Sequence, residues 1–327
     1  MKVSRVALLI AAVAGAVLAW WLSGREADRP AADVPQPAPQ EIQREPEKSP
    51  VSAATPPAAD SAATPSASAS PDMRARFQDS KDYRAFAASI FDAAKQGDGA
   101  AQFYLYSALN YCEGAYGYFF IVHLPRGEVR YRTPEEALQL TANNPLFTPE
   151  DLTDMQSRCA QLMAETPPPF GTSQQWLDAA GKSGYPRALA IVANRKSYET
   201  MSGLPLEAAQ AAATESRRLL IDALRSKDPE VIAAAGFTAA ILAGKDLHLA
   251  EQKKWIWMMA ACGDEAACPA LTEAVRYICR GDSQCQPYET PVDIIRRKAG
   301  NDFDEIKRRA LALRDKIDAG TLEESDI

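Results

Sequence analysis

The stretch Ala93-Ala94-Lys95-Gln96-Gly97, followed by Ala101-Gln102 and then Leu105, decides the fold. Alanine lets neighbouring helices approach closely, and a glycine ends one helix in the left-handed conformation before the next begins. The encoded unit is a helical hairpin. It recurs as Ala179-Ala180-Gly181-Lys182-Ser183-Gly184 before Ala188 and Val192, and as Ala260-Ala261-Cys262-Gly263 before Ala266-Ala267. A more degraded copy, Ala223-Leu224-Arg225-Ser226-Lys227 before Val231 and Ala235, lies between the second and the last. The steps from Ala94 to Ala180, to Ala223 and to Ala261 are 86, 43 and 38 residues, the first being twice the second. This suits stacked helix pairs of about 40 residues with one unit obscured by an insertion.

Helical texture extends to both sides of these copies. Tyr83, Phe86, Ile90 and Ala94 follow one another at steps of three and four within a helix read over 74–95. Thr133-Pro134-Glu135-Glu136 and Thr148-Pro149-Glu150-Asp151 each offer an N-cap hydroxyl, a first-turn proline and an acid at the third helical position. Further helices are expected over 206–225, 229–243, 249–261, 269–279 and 302–318. One stretch breaks the pattern: residues 118–124 and 129–132 read better as two short extended runs about a turn at Pro125 to Glu128, with an irregular loop or a continued helix as the alternatives.

At the repeated residues the chain resembles the tetratricopeptide-like short-repeat superfamily. The likeness is greatest to the Sel-type repeats of bacterial envelope proteins, whose units carry Ala-Ala-x-x-Gly, then Ala-Gln and Leu at four-residue steps. The first copy fits best; the others lose the Gln or the Gly, and the tyrosine expected late in the second helix is displaced to Tyr111. The resemblance spans about half of the folded region and implies a right-handed α/α superhelix that binds other proteins on its concave face. It implies no catalytic residues.

The chain has 327 residues, 46% hydrophobic and 24% charged, a globular composition. With 43 acidic against 36 basic residues, and a net charge of -7, it lacks the broad cationic surface that nucleic acid requires. Two histidines, His123 and His248, exclude a three-histidine metal site. Residues 6–22, VALLIAAVAGAVLAWWL, form an uninterrupted apolar run preceded by Lys2 and Arg5. That length suffices to cross a bilayer, and the flanking cations keep the N-terminus cytoplasmic. Residues 1–22 are read as an uncleaved signal anchor, a single pass through the inner membrane; the alternative is a cleaved signal and a soluble periplasmic product. Residues 23–72 hold ten of the 23 prolines and no aromatic, and are read as a disordered linker. The folded region is then 73–327, a helical-repeat domain in the periplasm with an inserted segment near 115–165.

Export delivers six cysteines, Cys112, Cys159, Cys262, Cys268, Cys279 and Cys285, to an oxidising compartment. If 269–279 is a helix, its ends lie about 15 Å apart, so Cys268 and Cys279 are beyond disulfide reach. Cys262 with Cys268 and Cys279 with Cys285 would each staple a turn, at Gly263-Asp264 and Gly281-Asp282. Cys112 and Cys159 remain as a pair closing the insertion. No zinc or redox spacing occurs among the six.

No catalytic, cofactor or metal motif is complete. Gly181-Lys182-Ser183 lacks the earlier glycine of a phosphate loop, where Trp176 stands, and Gly281-Asp282-Ser283 reads as a turn. The acid pairs Glu135-Glu136 and Glu150-Asp151 are accounted for by helix capping and the helix dipole. Eight aromatics crowd between Phe103 and Phe120, and Tyr116, Tyr118 and Phe120 are the candidates for facing a partner. The expected protein is a non-catalytic interaction scaffold for an envelope protein or peptide. The alternatives are an envelope enzyme such as a glycan hydrolase, using carboxylates of the insert, or a structural spacer.

Overall fold

The computed structural model describes residues 71–124, 128–140, 148–164, 169–263, 268–271 and 289–327. The anchor at 1–22, nearly all of the linker, most of the helix expected over 269–279 and the Cys279–Cys285 pair lie outside the described residues. Among the described residues no helix is long and apolar enough to cross a membrane.

Helix dominates what is described, and the only sheet is a two-stranded one. Among the described residues the first helices are α1 (Pro71–Asp79) and α2 (Tyr83–Lys95). The sequence reads as one helix over 74–95, but it breaks at Ser80 to Asp82. Asp82 adopts extended backbone and its carboxylate accepts from the Arg84 and Ala85 amides at 2.8 and 3.1 Å. An N-cap there ends the preceding helix and starts the next. Phe77 survives in the core because its ring stacks on Tyr83 across the break, centroids 5.0 Å apart. The expected α2 stripe of Tyr83, Phe86, Ile90 and Ala94 is buried.

The turn into α3 (Gly99–Tyr111) explains the motif at its origin. Gly97 takes φ +94°, and the Gly97 and Asp98 amides donate to Ala94 and Ala93, closing the helix end. Gln102 then reaches back and donates from Nε2 to the Ala94 carbonyl at 3.0 Å. Ala101-Gln102 is thus one small residue that lets the helices meet and one amide that caps the neighbour.

After the insert come α7 (Ser173–Lys182), α8 (Pro186–Glu199), α9 (Leu206–Leu224), α10 (Pro229–Leu242) and α11 (Leu247–Cys262). The chain ends with α12 (Pro291–Ala299) and α13 (Phe303–Ala319). Gly184 repeats the geometry of Gly97, with φ +78° and amides closing onto Gly181 and Ala180. In the degraded copy Lys227 holds the same position, at φ +57°, without being glycine. Its amide donates to Leu224 and its ammonium to the Asp318 carbonyl at 2.7 Å.

Packing is sequential: α2 on α3, α3 on α7, α7 on α8, α8 on α9 and α10, α10 on α11, and α11 on α13. Gly236 lets α10 and α11 touch, since a Cβ there would stand 2.8 Å from the Lys254 carbonyl. Two apolar clusters result. One gathers Tyr83 to Ala188 and includes the insert; the other runs from Leu189 to Ile327, and Val192 packs against both.

Candidate functional site

The insert leaves α3 and returns to α7 without separating them, and it is built on a covalent base. Cys112 opens a π-helical segment (Cys112–Tyr116) that continues into α4 (Gly117–Phe120). Strands β1 (Ile121–His123) and β2 (Val129–Tyr131) follow, then α5 (Pro134–Leu140) and α6 (Pro149–Met163). Cys112 is joined to Cys159 on α6 with Cα atoms 5.3 Å apart, the pairing expected for the insertion. Cys262 and Cys268 are also joined, 5.0 Å apart at Cα, as expected.

Both capping sequences work as read. Thr148 and Asp151 form a reciprocal capping box at the start of α6. At the start of α5, Thr133 Oγ1 accepts from the Glu136 amide at 3.3 Å and Glu136 Oε2 accepts from the Thr133 amide at 3.0 Å. Arg130 also donates to Glu136, from Nη1 to Oε1 at 2.8 Å, and this bond holds the carboxyl below its ordinary pKa. Asp154 on α6 accepts from Lys81 and from Arg158, while Arg158 donates to the Gln78 carbonyl and the Tyr83 hydroxyl. These bonds tie the far end of the insert to α1 and α2.

The partner-facing aromatics divide. Tyr118 is 67% exposed, whereas Tyr116 and Phe120 belong to the core, at 3% and 0%, and cannot face a partner. The extended run expected from Tyr118 would have put Tyr118 and Phe120 on one side; the chain is instead helical through Phe120. On a helix, positions four apart share a face, so Tyr116 and Phe120 stack inward with centroids 4.9 Å apart while Tyr118 points away. Burial, with the neighbouring Tyr131, pushes the Tyr116 hydroxyl pKa up. The hairpin itself forms, but its first strand is shorter than expected.

Tyr118 is held rather than loose. Arg132, one residue past β2, donates from Nη1 to the Tyr118 and Phe119 carbonyls at 3.0 and 3.1 Å, filling orphan acceptors at the end of α4. The insert leaves Leu124, Val129, Tyr131, Leu138 and Leu140 exposed as well. Sequence reasoning missed these five as surface groups. The signal was present in Val129-Arg130-Tyr131-Arg132, whose alternation marks an amphipathic strand.

A second cluster lies where α1, α3, α8 and α10 meet. Arg187 donates to Asp228 at 2.7 Å, pairs with Glu230 at 2.6 Å and reaches the Tyr104 hydroxyl at 3.2 Å, while Arg74 also pairs with Glu230. Burial works against the Arg187 charge, but Asp228 and Glu230 outweigh it and keep the guanidinium protonated. Burial raises the Tyr104 pKa despite this cation. Two arginines and two acids balance, so the cluster clamps helices and offers no free charge. Among the described residues no group of three or more His, Cys, Asp or Glu side chains is placed to hold a metal ion.

Comparisons with family models, curated proteins and solved structures returned no match.

Proposed function

We propose that this protein is a membrane-anchored, non-catalytic interaction scaffold, and that its insert carries the partner-binding surface. The observation that carries the reading is the exposure of Tyr118, Leu124, Val129, Tyr131, Leu138 and Leu140 on one segment stapled by Cys112–Cys159. Large apolar groups displayed on a fixed base mark interaction sites. Here the base is covalent, so these residues are presented at little ordering cost on binding. Of the acid pairs in the insert, Glu136 and Asp151 are engaged in caps, which favours the scaffold over a hydrolase.

The finer architecture belongs to the same reading. Sequential packing and positive-φ turns at Gly97, Gly184, Lys227 and Gly263 support a Sel-type, tetratricopeptide-like α/α superhelix of stacked antiparallel pairs. The apolar run at 6–22 supports anchoring in the inner membrane, with the domain in the periplasm and an envelope protein or peptide as partner.

The test is a triple substitution, Tyr118→Ser, Val129→Ser and Leu140→Ser, in the full chain. All three side chains are exposed, so the melting temperature is expected to stay within a few degrees. Proteins that co-purify with the unsubstituted chain are expected to be lost. Co-purification unchanged by the triple substitution contradicts the proposal.

A further inference from the structure

The two-stranded sheet has an outer edge on β2, and its register decides what that edge displays. Ile121 lies opposite Tyr131, Val122 opposite Arg130 and His123 opposite Val129. The Leu124 amide donates to Glu128 and the Arg132 amide to Phe120, each at 2.8 Å. Antiparallel ladders alternate bonded and non-bonded pairs, so Val122 and Arg130 exchange the bonds between them. The N–H and C=O of Val129 and Tyr131 therefore point away from β1, off the open edge. The side chains of those two residues share one face of the strand, Arg130 and Arg132 the other.

We propose that β2 takes an extended partner peptide as a third strand. Apolar residues of the peptide lie beside Val129 and Tyr131, and acidic residues lie beside Arg130 and Arg132. The inference rests on the reading of the insert as the binding surface, and names the chemistry of what it binds. An exposed edge with unpaired backbone groups templates strand addition unless it is blunted. Here the outward-pointing backbone belongs to the two residues whose apolar side chains are also exposed. Main-chain bonds then give affinity, and alternate side chains give selection.

Charge selects the occupant. The strand Val129-Arg130-Tyr131-Arg132 alternates apolar and basic, so its complement alternates apolar and acidic. Arg132 spends its hydrogen bonds on carbonyls, which leave its charge in place, and Arg130, whose ion pair with Glu136 is solvent-exposed and therefore weak, can share its guanidinium with an acidic residue of the peptide. A second copy of this chain fits less well. Antiparallel self-pairing through Val129 and Tyr131 sets Arg130 against Arg130 of the other copy, and like charges directly opposite repel.

The experiment uses the full-length chain and a fluorescein-labelled peptide of about nine residues alternating valine and glutamate. Anisotropy is expected to show saturable binding, and amide exchange to slow at Val129 and Tyr131. The same peptide with lysine for glutamate is expected to bind about tenfold more weakly, because two cross-strand charge pairs reverse sign. Arg130→Glu is expected to move that preference toward the lysine peptide. Tyr131→Pro removes an outward donor while sparing the ladder, and is expected to abolish binding.

Equal affinity for both peptides, or binding that survives Tyr131→Pro, overturns strand addition. Self-association of the chain that Tyr131→Pro removes overturns the peptide in favour of a second copy. If photo-crosslinking from Tyr118 still captures a partner in the Tyr131→Pro chain, strand addition fails and the scaffold stands. No capture from Tyr118 in the unsubstituted chain removes the scaffold itself.

Discussion

Cys112 and Cys159 stand 47 positions apart in sequence and 5.3 Å apart at Cα, so one bond encloses the hairpin, α5 and the first part of α6. The loop closed by Cys262 and Cys268 spans only 6 positions. If stabilisation comes mainly from restricting the unfolded chain, the longer loop contributes about 4 kcal/mol and the shorter about 2. Denaturant unfolding of the Cys112→Ala/Cys159→Ala chain is expected to show the larger loss. Equal losses in the two paired variants would mean that chain entropy is not what the insert's bridge supplies.

Gly236 predicts a sign that helix propensity alone gets backwards. In an exposed helix, alanine for glycine stabilises by about 1 kcal/mol. At this position the new Cβ would lie 2.8 Å from the Lys254 carbonyl and 3.3 Å from Trp257 Cβ. Gly236→Ala is expected to destabilise by about 1 to 3 kcal/mol through forced separation of α10 and α11. A raised melting temperature would contradict the close packing of these helices.

Lys227 makes the converse case. Its left-handed backbone costs a non-glycine residue about 1 kcal/mol, and its bond to the Asp318 carbonyl is solvent-exposed. Lys227→Gly is expected to raise stability by about 1 kcal/mol. Gly97→Ala, in the equivalent turn at φ +94°, is expected to lower it by a similar amount. Thermal melts of the two variants shifting in the same direction would show that these turns are not equivalent.

How much of this was legible in the sequence follows from what each feature depends on. Turns and caps are local, so Gly97, Gly184, Thr148-Pro149 and the bounds of α9, α10 and α13 could be read to within about two residues. The break at Ser80 to Asp82 was hidden because the Phe77 and Tyr83 rings stay stacked across it, Tyr83 buried and Phe77 partly so. Tyr116 to Phe120 misled for a related reason: bulky aromatics favour strands, yet the four-residue spacing of Tyr116 and Phe120 was the better guide. The Arg187 clamp was out of reach. Its partner Asp228 lies 41 positions away and looks in sequence like a simple N-cap before Pro229.

Asp154 links the end of the insert to pH. Burial opposes its charge, but hydrogen bonds from Lys81 and Arg158 hold its pKa below the ordinary 3.8. A carboxyl depressed in the folded state contributes stability above its unfolded pKa and loses it as pH falls through the folded value. Asp154 is about one-third exposed, so Asp154→Asn is expected to cost at most about 1 kcal/mol at pH 7. The two stability curves should converge as the pH falls below 3.8. A constant gap down to acid unfolding would assign the loss to packing instead of charge.

The central claim is that the insert meets a partner. The most direct measurement is in-cell photo-crosslinking from Tyr118 and Tyr131, with exposed Arg308 on α13 as control and mass spectrometry of the adducts. A discrete protein adduct from both insert positions, absent from Arg308, is the predicted result. No adduct from either insert position, or the same adducts from all three, would contradict the account.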